Sequence, residues 1–473
     1  MARPSVTTLP RDRLARIEGW GMSSWGLSYL YRPTDVDGIA TVFNLARAAG
    51  RTVGLRGGGN SYGDAAQNDE NVVLDLTRMD RILEWNPETG LVTCEAGVTI
   101  KTLWQHCLED GWWPPVVSGT MFPTVGGALA MNIHGKNNFR VGPIGDHVVA
   151  FDLLTPAGEV TCSRDDNADL FFAVIGGFGV LGCMTRITMQ MKRVYSGLIE
   201  VTPVAAPSLG AMVEEFDHRR HEADYLVGWV DGMASGKETG RGQIHEARYL
   251  SEGEDPYPAR SLRAEYQDLS DTILGLIPKS ITWRLMKPFL NDRGTRLVNW
   301  AKFTSTGLPL PGNQPYLQGL VGFSFLLDYV PKWKWAYKPG GLIQYQSFIP
   351  EATADAAFTE ILSRSQRAGL PPYLAVFKRH RSDGFLMTHA VDGFSLALDY
   401  PVRDRSGLWA LALELDRVVL DAGGRFYFAK DSTLTREHAA AYLGDDTVAR
   451  FLELKKRCDP DGLLETNLFR RLF

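Results

Sequence analysis

Apolar residues along the first 190 positions recur at spacings that alternate between helices and short strands. One helix is predicted between Asp35 and Gly50, because four apolar residues return every three or four positions and glycine is typical just after a helix end. A second amphipathic helix is predicted from Ile100, ending at Gly111. Strands are predicted at 52–57 and 72–76. Short mixed units of this kind favour an α+β fold.

Longer strand patterns dominate from about residue 196 to residue 429. Helices are predicted at 351–369 and 406–422, and the less regular stretch 250–305 is interpreted as a mobile lid or excursion. Strands with helices on one face predict a second domain built on a largely antiparallel sheet. The strand candidates are YLVGWVDGM, LQGLVGFSFLLDYV, LIQYQSFIP, YLAVFKRH and GFSLALDYPV.

The composition is that of a globular protein with a large core: 473 residues, 44% hydrophobic and 22% charged. The net charge of −5 gives no electrostatic reason to expect nucleic acid as a partner. Five scattered cysteines without a C-x-x-C pair argue against a disulfide framework or a zinc site, and no metal site is predicted. We find neither a signal-peptide pattern nor 18 consecutive apolar residues, so a cytoplasmic protein with at most peripheral membrane contact is expected.

The segment RGGGNSYGD, Arg56 to Asp64, directly follows a predicted strand. Three consecutive glycines allow backbone N–H groups to converge on a phosphate, although a tight structural turn explains a lone glycine run equally well. The segment is neither the G-x-G-x-x-G that opens a Rossmann helix nor the G-x-x-x-x-G-K-[ST] of a P-loop.

A second glycine-containing segment, Ser118 to Asn137, reads SGTMFPTVGGALAMNIHGKN. Thr124 can cap a helix that begins with small residues, and such a helix N-terminus admits a diphosphate or a flat ring. His134 and Lys136 follow at a glycine corner; alone, His134 would more often be a hydrogen-bonded structural histidine. A third glycine corner, at 176–180, is explained equally well by packing.

Together, these segments resemble the FAD-binding domain of the vanillyl-alcohol oxidase/p-cresol methylhydroxylase superfamily. The resemblance rests on the order RGGGNSYGD, VVLDLTRM, EAGVTI, SGTMFPTVGGALAMNIHGKN, DLLTPAGEV and DLFFAVIGGFGVLG. It implies a two-domain PCMH-type α+β fold that holds FAD in an extended form, with the flavin ring at the border of a substrate-binding domain. The segment DPDGLLETNLFRRLF is similar to the superfamily's C-terminal return, which gives an FAD-binding domain at 1–195, a substrate-binding domain at 196–429 and a return at 430–473.

Within the superfamily, HGKN, IQYQSFIP and RFYFAKDS resemble the decaprenylphosphoryl-β-D-ribose 2′-oxidase family. This resemblance implies contacts to FAD from Arg56, Gly57, Gly58, Gly59, Asn60, Ser61, Tyr62, Gly63, Asp64, Gly119, Thr124, Val125, Gly126, Gly127, Asn132, His134, Gly179 and Tyr427. It implies catalytic roles for Lys430, Tyr62, His134 and Lys136, and substrate contacts for Gln344, Gln346, Lys378, Ser324 and Ser395.

Three substrate-side positions depart from that family's pattern. Its active-site cysteine, the target of its covalent inhibitors, is replaced by Ala397, and an asparagine two residues earlier is replaced by Ser395. A tyrosine of the family, on the predicted strand FSFLLDYV, is replaced by Ser324. The resemblance therefore supports flavin chemistry more strongly than it supports a polyprenyl-phosphoribose substrate.

Two features of the C-terminal half favour the same chemistry from the residues themselves. Gln344 and Gln346 are two apart on a predicted strand, so both amides face one side, where they bind sugar hydroxyls or remain in solvent, while Tyr345 faces the other side. Lys430 follows the predicted strand RFYFA, where it either faces the flavin edge that becomes negative on reduction or forms a surface ion pair with Asp431.

The sequence therefore predicts an FAD-dependent oxidoreductase that converts a secondary alcohol of a sugar, or of a polyprenyl-phospho sugar, to a ketone by hydride transfer to flavin N5. Non-covalent FAD is expected, because Asn60 occupies the position of the linking histidine of related alditol oxidases. The resemblance also implies a separate NAD(P)H-dependent reductase that completes an epimerisation. The alternatives are an alditol or aldonolactone oxidase and a flavin-binding protein that oxidises no alcohol.

Overall fold

The computed structural model describes residues 8–273, 277–306 and 314–473. The first strands are β1 (Leu14–Glu18), β2 (Trp25–Tyr31), β3 (Val53–Arg56), β4 (Val72–Asp75), β5 (Ile82–Asn86), β6 (Leu91–Glu95), β7 (Trp112–Trp113), β8 (Val148–Thr155), β9 (Gly158–Ser163), β10 (Cys183–Gln190) and β11 (Lys192–Arg193). The helices among them are α1 (Val36–Ala48), α2 (Ile100–Cys107), α3 (Val125–Ala130), α4 (Asn138–Val141) and α5 (Ala168–Val174).

Longer strands follow after residue 197. They are β12 (Leu198–Ala206), β13 (Tyr225–Val230), β14 (Gly242–Tyr249), β15 (Thr272–Ile273), β16 (Ile277–Pro278), β17 (Tyr316–Gly319), β18 (Leu342–Pro350), β19 (Leu374–His380), β20 (Gly393–Pro401) and β21 (Arg425–Phe426). The accompanying helices are α6 (Leu209–Arg219), α7 (Pro258–Ser261), α8 (Ala264–Gln267), α9 (Lys279–Met286), α10 (Asp292–Ser305), α11 (Leu320–Ser324), α12 (Glu351–Arg367), α13 (Arg405–Asp421), α14 (Arg436–Leu443), α15 (Asp445–Cys458) and α16 (Asn467–Leu472).

Two small sheets organise the first part of the chain. One has the order β1-β2-β4-β3, with β4 parallel to both of its neighbours, and the other has the order β5-β6-β10-β8-β9 and is antiparallel. Helix α1 begins as predicted, because the Asp35 carboxylate accepts a hydrogen bond from the Gly38 N–H. It ends before Gly50, whose φ of +61° is the left-handed conformation that glycine favours.

The second part is built on one eight-stranded sheet, of order β17-β12-β14-β13-β19-β20-β18-β21. Every pairing in this sheet is antiparallel, which confirms the predicted antiparallel sheet and the α+β class. Helices α6, α12 and α13 pack on one face, where the ring of Phe358 lies 5.9 Å from that of Phe377. The other face is therefore left for the first part of the chain.

The segment after residue 430 packs back onto the first sheet. The Val53 N–H donates to the Leu463 carbonyl at 2.7 Å, and the Glu465 N–H donates to the Val53 carbonyl at 2.9 Å. Phe473 stacks on Phe178, with ring centroids 5.5 Å apart. These contacts agree with the expected C-terminal return, while the domain boundaries after 195 and 429 stay predictions.

Three local predictions differ from the structure. LQGLVGFSFLLDYV is a strand only as far as Gly319 and then turns helical in α11, because a continuous apolar run does not by its period distinguish a strand from a buried helix. The strand in RFYFA ends at Phe426, so Lys430 lies in a turn in which its N–H donates to the Tyr427 carbonyl at 2.9 Å. The described residues of 250–305 contain helices α7 to α10.

Candidate active site

A cavity of about 460 Å³ lies between the glycine segments and the open face of the eight-stranded sheet. Side chains two apart on a strand line it together, Leu374, Val376 and Lys378 from β19 and the Gln344 and Gln346 pair from β18. The predicted site residues that line it are Arg56, Gly57, Gly58, Gly59, Asn60, Ser61, Tyr62, Gly119, Thr124, Gly126, Gly127, His134, Lys136, Gly179, Gln344, Gln346, Lys378, Tyr427 and Lys430. Segments far apart in the sequence thus meet at one site.

The Lys, Arg, Asp and Glu residues that line this cavity are all of the positively charged types among the described residues. Five cationic side chains line it, Arg56, Lys136, Lys302, Lys378 and Lys430, and none of the described lining residues is Asp or Glu. Charges of like sign in a partly desolvated space repel one another unless a counter-charge is supplied. The cavity is therefore complementary to anionic ligands.

The glycine loop after β3 offers a row of free hydrogen-bond donors. The backbone N–H groups of residues 57–61 donate to no acceptor among the described residues. A Cβ on Gly57 would lie 2.1 Å from Thr124 Oγ1, and one on Gly58 would lie 2.5 Å from the Phe122 carbonyl, so only glycine fits this approach. Consecutive free N–H groups form the kind of concavity that binds phosphate oxygens.

The N-terminus of α3 does not offer such donors. Thr124 caps the helix as predicted, accepting from the Gly127 N–H at 3.2 Å. The Val125 N–H donates to Val98 and the Gly126 N–H to Ala96, at 2.7 and 2.9 Å. These N–H groups are already bonded and are not free donors, and the close approach of a diphosphate or a flat ring to this helix start stays a prediction. Gly126 instead allows close packing, because its Cβ would lie 2.7 Å from that of Ala96.

His134 lies at the junction of the two parts of the chain. Its Nε2 lies 3.1 Å from Gln346 Nε2, and its Nδ1 has no partner among the described residues. The ring centroids of His380 and Tyr427 lie 4.9 and 5.2 Å away. Burial, reinforced by the charge of Lys378, holds the pKa of His134 well below its usual range. The imidazole is therefore neutral, with one nitrogen available at the cavity wall.

Tyr62, Gln344 and Lys430 form a second cluster in the cavity wall. Lys430 Nζ lies 4.0 Å from the centre of the Tyr62 ring, and Gln344 Nε2 lies 3.4 Å from the Tyr62 hydroxyl. Gln344 also donates to the carboxylate of Asp399, which is fully buried on β20. Burial lowers the pKa of Lys430, whereas the charge of Asp399 acts in the opposite direction. The positive charge of Lys430 is therefore supported by the carboxylate of Asp399.

Two further lysines face the substrate side. Lys136 donates to the Phe323 carbonyl, with its Nζ 4.1 Å from the centre of the Phe323 ring. Burial lowers the pKa of Lys136 to about 7 and that of Lys378 to about 8, and the positive charge of Lys378 further favours the neutral form of Lys136. Near neutral pH these amines can hold or release a proton.

Several predicted site residues lie outside the lining of the cavity. Gly63 is packed against the Asp431 backbone, and Asp64 forms an ion pair with Arg471 at 2.8 Å. Val125 is buried in the core, and Asn132 Oδ1 accepts from the Gly145 N–H at 3.0 Å. These residues support the walls of the site, and direct contact with a ligand stays a prediction.

The two serine positions are also set back from the cavity. Ser324, in α11, is buried, and its hydroxyl has no partner among the described residues. The Ser395 hydroxyl forms a hydrogen bond of 2.7 Å with His380 Nε2, and it lies 3.3 Å from Gln346 Nε2. Ala397, two residues further along β20, does line the cavity.

Sequence reasoning missed Asp399, Lys302 and Trp229. Asp399 is in an apolar strand pattern, and only the register that pairs it with Gln344 reveals its place. Lys302 belongs to α10, inside the stretch interpreted as irregular, and its Nζ lies 4.1 Å from the centre of the Trp229 ring. A lone buried carboxylate in an apolar run was the available signal for Asp399.

The residues present fit FAD. The free N–H groups of 57–61 and the Arg56 guanidinium provide donors for a diphosphate, and the enclosed space beyond them admits a flat ring next to Tyr62 and His134. His134 Nδ1 and Asn60 Nδ2 are buried polar atoms without a partner among the described residues, as expected where a bound group completes the hydrogen bonding.

Comparison with known proteins agrees with this geometry. Residues 27–163 match the family described as FAD binding domain. Decaprenylphosphoryl-beta-D-ribose oxidase of Mycolicibacterium smegmatis is 30% identical over 99% of this chain and 99% of its own length. An uncharacterized protein in the mprA 5′ region of Streptomyces coelicolor is 30% identical over 79% of this chain and 100% of its own. L-gulonolactone oxidase of Mus musculus is 30% identical, but over 37% of this chain and 40% of its own.

The fold, the cavity and the matched domain define an FAD-dependent oxidoreductase of the vanillyl-alcohol oxidase/p-cresol methylhydroxylase superfamily. Within it, the chain belongs to the family of decaprenylphosphoryl-beta-D-ribose oxidase. The predictions of superfamily, cofactor and enzyme class are thereby confirmed. Among the helices of the described residues, none has the length and apolar character needed to cross a membrane.

Proposed function

We propose that the enzyme oxidises a secondary hydroxyl of a sugar that bears an anionic group, such as a phosphate, and that the product is the corresponding ketone. The observation that supports this most directly is the cavity with five cations and, among its described lining residues, no carboxylate. The diphosphate of FAD accounts for the charge near Arg56. Two further lysines of the lining, Lys378 and Lys302, call for a second anionic ligand.

FAD is held non-covalently in this proposal. The N–H groups of 57–61 and Arg56 bind the diphosphate, and Asn60 stands where a linking histidine would be needed. FAD bound there would supply the acceptor for the hydride of the carbinol carbon. The remaining roles belong to the side chains around the cavity.

The two glutamines orient the sugar. Because Asp399 accepts a hydrogen bond from the Gln344 amide NH₂, that amide has a fixed orientation and its Oε1 is left to accept from a substrate hydroxyl. Gln346 is held in the same way by His134 and Ser395. A hydroxyl that is hydrogen-bonded to two fixed amides presents its carbinol hydrogen in one direction, which is the positioning that hydride transfer requires.

The proton of the reacting hydroxyl passes to a neutral amine. Lys136, with a pKa lowered to about 7, meets that requirement. His134, which burial keeps neutral, accepts the Gln346 hydrogen bond at Nε2 and carries its proton on Nδ1, so it orients the amide. Burial lowers the pKa of Lys430, the charge of Asp399 counteracts that shift, and in its cationic form Lys430 would stabilise negative charge on the cofactor side. The ketone is a product that a separate reductase can reduce to the epimeric alcohol.

The proposal is tested by mixing the purified yellow protein with candidate sugars in the absence of oxygen. A phosphorylated pentose or hexose is expected to bleach the visible absorbance of the flavin, and the unphosphorylated sugar is expected to need a far higher concentration. Bleaching by uncharged alditols or aldonolactones at equal concentration would favour the alternative oxidase class. No bleaching by any sugar, free or lipid-linked, would contradict the proposal.

A further inference from the structure

Helices α9 and α10 bury polar side chains and expose apolar ones, which is the reverse of the usual arrangement. A short helical turn at 287–289 lies between them. The buried residues of these two helices are polar: Lys279, Thr295 and Asn299. An amphipathic helix on the surface of a water-soluble protein buries its apolar residues instead. We call the outer side of residues 279–305 the α9–α10 surface.

Six large apolar side chains of this segment are between 42% and 56% exposed: Ile281, Leu285, Phe289, Leu297, Val298 and Trp300. Ile281 and Leu285 lie one turn apart on α9, and Leu297 and Trp300 lie three apart on α10, so each pair shares a side of its helix. Single exposed apolar residues are common, but a cluster of six on neighbouring turns marks an interaction site.

The charge of the same segment is opposite to that of the whole chain. Residues 279–305 contain six Lys and Arg and one Asp, a net charge of +5, whereas the complete chain has −5. Four of these cations, Arg284, Lys287, Arg293 and Arg296, are exposed beside the apolar side chains. Aromatic and aliphatic residues flanked by Lys and Arg are the composition that binds anionic lipid headgroups and the acyl boundary beneath them.

The inner side of the segment is fixed to the protein near the active site. Asn299 Nδ2 donates to Asp231 at 2.9 Å, and Trp283 meets the ring of Trp335 with centroids 5.7 Å apart. Lys302, three residues after the buried Asn299, lines the cavity described above. Anything that binds the α9–α10 surface therefore lies beside the cavity.

We propose that the α9–α10 surface docks the enzyme on an anionic membrane, with Leu285, Phe289 and Trp300 inserted below the headgroups and the four exposed cations at headgroup level. Docking itself does not depend on the proposed function.

Flotation of the FAD-loaded enzyme with lipid vesicles tests the docking. Vesicles of phosphatidylcholine with about one third phosphatidylglycerol are expected to carry the protein to the top of a gradient, and vesicles of phosphatidylcholine alone are expected to carry much less. Leu285→Ser/Phe289→Ser/Trp300→Ser should reduce the bound fraction about tenfold or more, and Arg284→Glu/Lys287→Glu should do the same at low salt.

A matched control uses exposed apolar residues elsewhere. Leu83, Val149 and Leu452 are 38–47% exposed, and Leu83→Ser/Val149→Ser/Leu452→Ser should float like the unaltered protein. Flavin bleaching by a water-soluble phosphosugar should be unchanged in all of these variants, which separates failure of docking from failure of the proposed function.

Absence of flotation, or equal flotation of both sets of triple variants, would overturn the proposal. Loss of a dimer by light scattering in the first variant, without vesicle binding by the unaltered protein, would assign the surface to a second copy of the chain and also overturn it.

Discussion

Gln344 and Asp399 face each other across strands β18 and β20, and the Gln344 amide donates a hydrogen bond of 2.5 Å to the Asp399 carboxylate. Gln344 lines the cavity and Asp399 is completely buried behind it. Burial raises the pKa of Asp399, while the Gln344 hydrogen bond and the charge of Lys430 lower it. As a carboxylate, Asp399 fixes the Gln344 amide, for which we propose a role in substrate binding, and also supports the positive charge of Lys430.

Asp399→Asn is therefore expected to change the pH dependence of turnover. Without the carboxylate the pKa of Lys430 falls further, so the cationic form is lost at lower pH and the high-pH limb of the kcat profile moves to lower pH. The check is kcat from pH 5 to 10. Asp416→Asn is the matched control, because Asp416 is equally buried and bonds Tyr345 on the opposite side of the same strand. An identical shift in both variants would contradict the assignment.

Lys430→Ala is expected to retain FAD and lose nearly all turnover. Removing a cation near developing negative charge typically costs about 3 kcal/mol, or roughly a hundredfold in rate. Stopped-flow reduction of the flavin measures the step directly. Lys338→Ala, which removes an exposed lysine stacked on Trp335, should leave the rate unchanged. A loss of less than threefold in Lys430→Ala would show that this lysine has no part in the reaction.

FAD is expected to leave the denatured protein. Acid precipitation followed by centrifugation should place the yellow colour in the supernatant, because Asn60 cannot form the histidyl link and the five cysteines of the chain are all buried. Burial also raises the pKa of Cys94, Cys162 and Cys183 to about 12, so they are poor nucleophiles. Colour that stays with the pellet would mean a covalent attachment.

Nitro-aromatic benzothiazinones, the covalent inhibitors of the related oxidases, are expected to bind this enzyme reversibly. Their reduced nitroso form bonds to a cysteine thiolate, and the family resemblance assigns that position to Ala397, which lines the cavity. Intact mass spectrometry after turnover with such a compound should give the unmodified mass. Ala397→Cys should gain the adduct. An adduct on β20 or its neighbours in the unaltered protein would show that the substrate side is misaligned.

Local patterns predicted those parts of the site that a single segment determines. The period of two along IQYQ placed Gln344 and Gln346 on one face, and Thr124 was recognisable as a cap from the small residues after it. The pairing of Gln344 with Asp399 depends on the register of strands 55 residues apart, which no local pattern contains.

The hydrogen bonding at the start of α3 could not be predicted for a similar reason. A capped helix start after a glycine-rich turn is typical of phosphate binding, but here the Val125 and Gly126 N–H groups bond to the segment at Ala96 and Val98. Such a competitor for the donors is contributed by a distant part of the chain, so only the folded structure reveals it. Ser324 was placed on a strand because its apolar neighbours have no distinguishing period.

Arg471 links two segments next to the cavity that are synthesised at very different times. Its guanidinium bonds Asp64 at the end of the glycine loop and Asp431 beside Lys430, each at 2.8 Å. Asp64 and Arg471 are 407 positions apart, so at about 5–20 residues per second the ribosome needs about 20–80 s between them. The glycine loop, which we propose to bind the cofactor, is thus synthesised long before Arg471. We therefore expect stable binding of FAD to be a late event in the biosynthesis of this protein, and a nascent chain lacking Arg471 should hold the cofactor weakly.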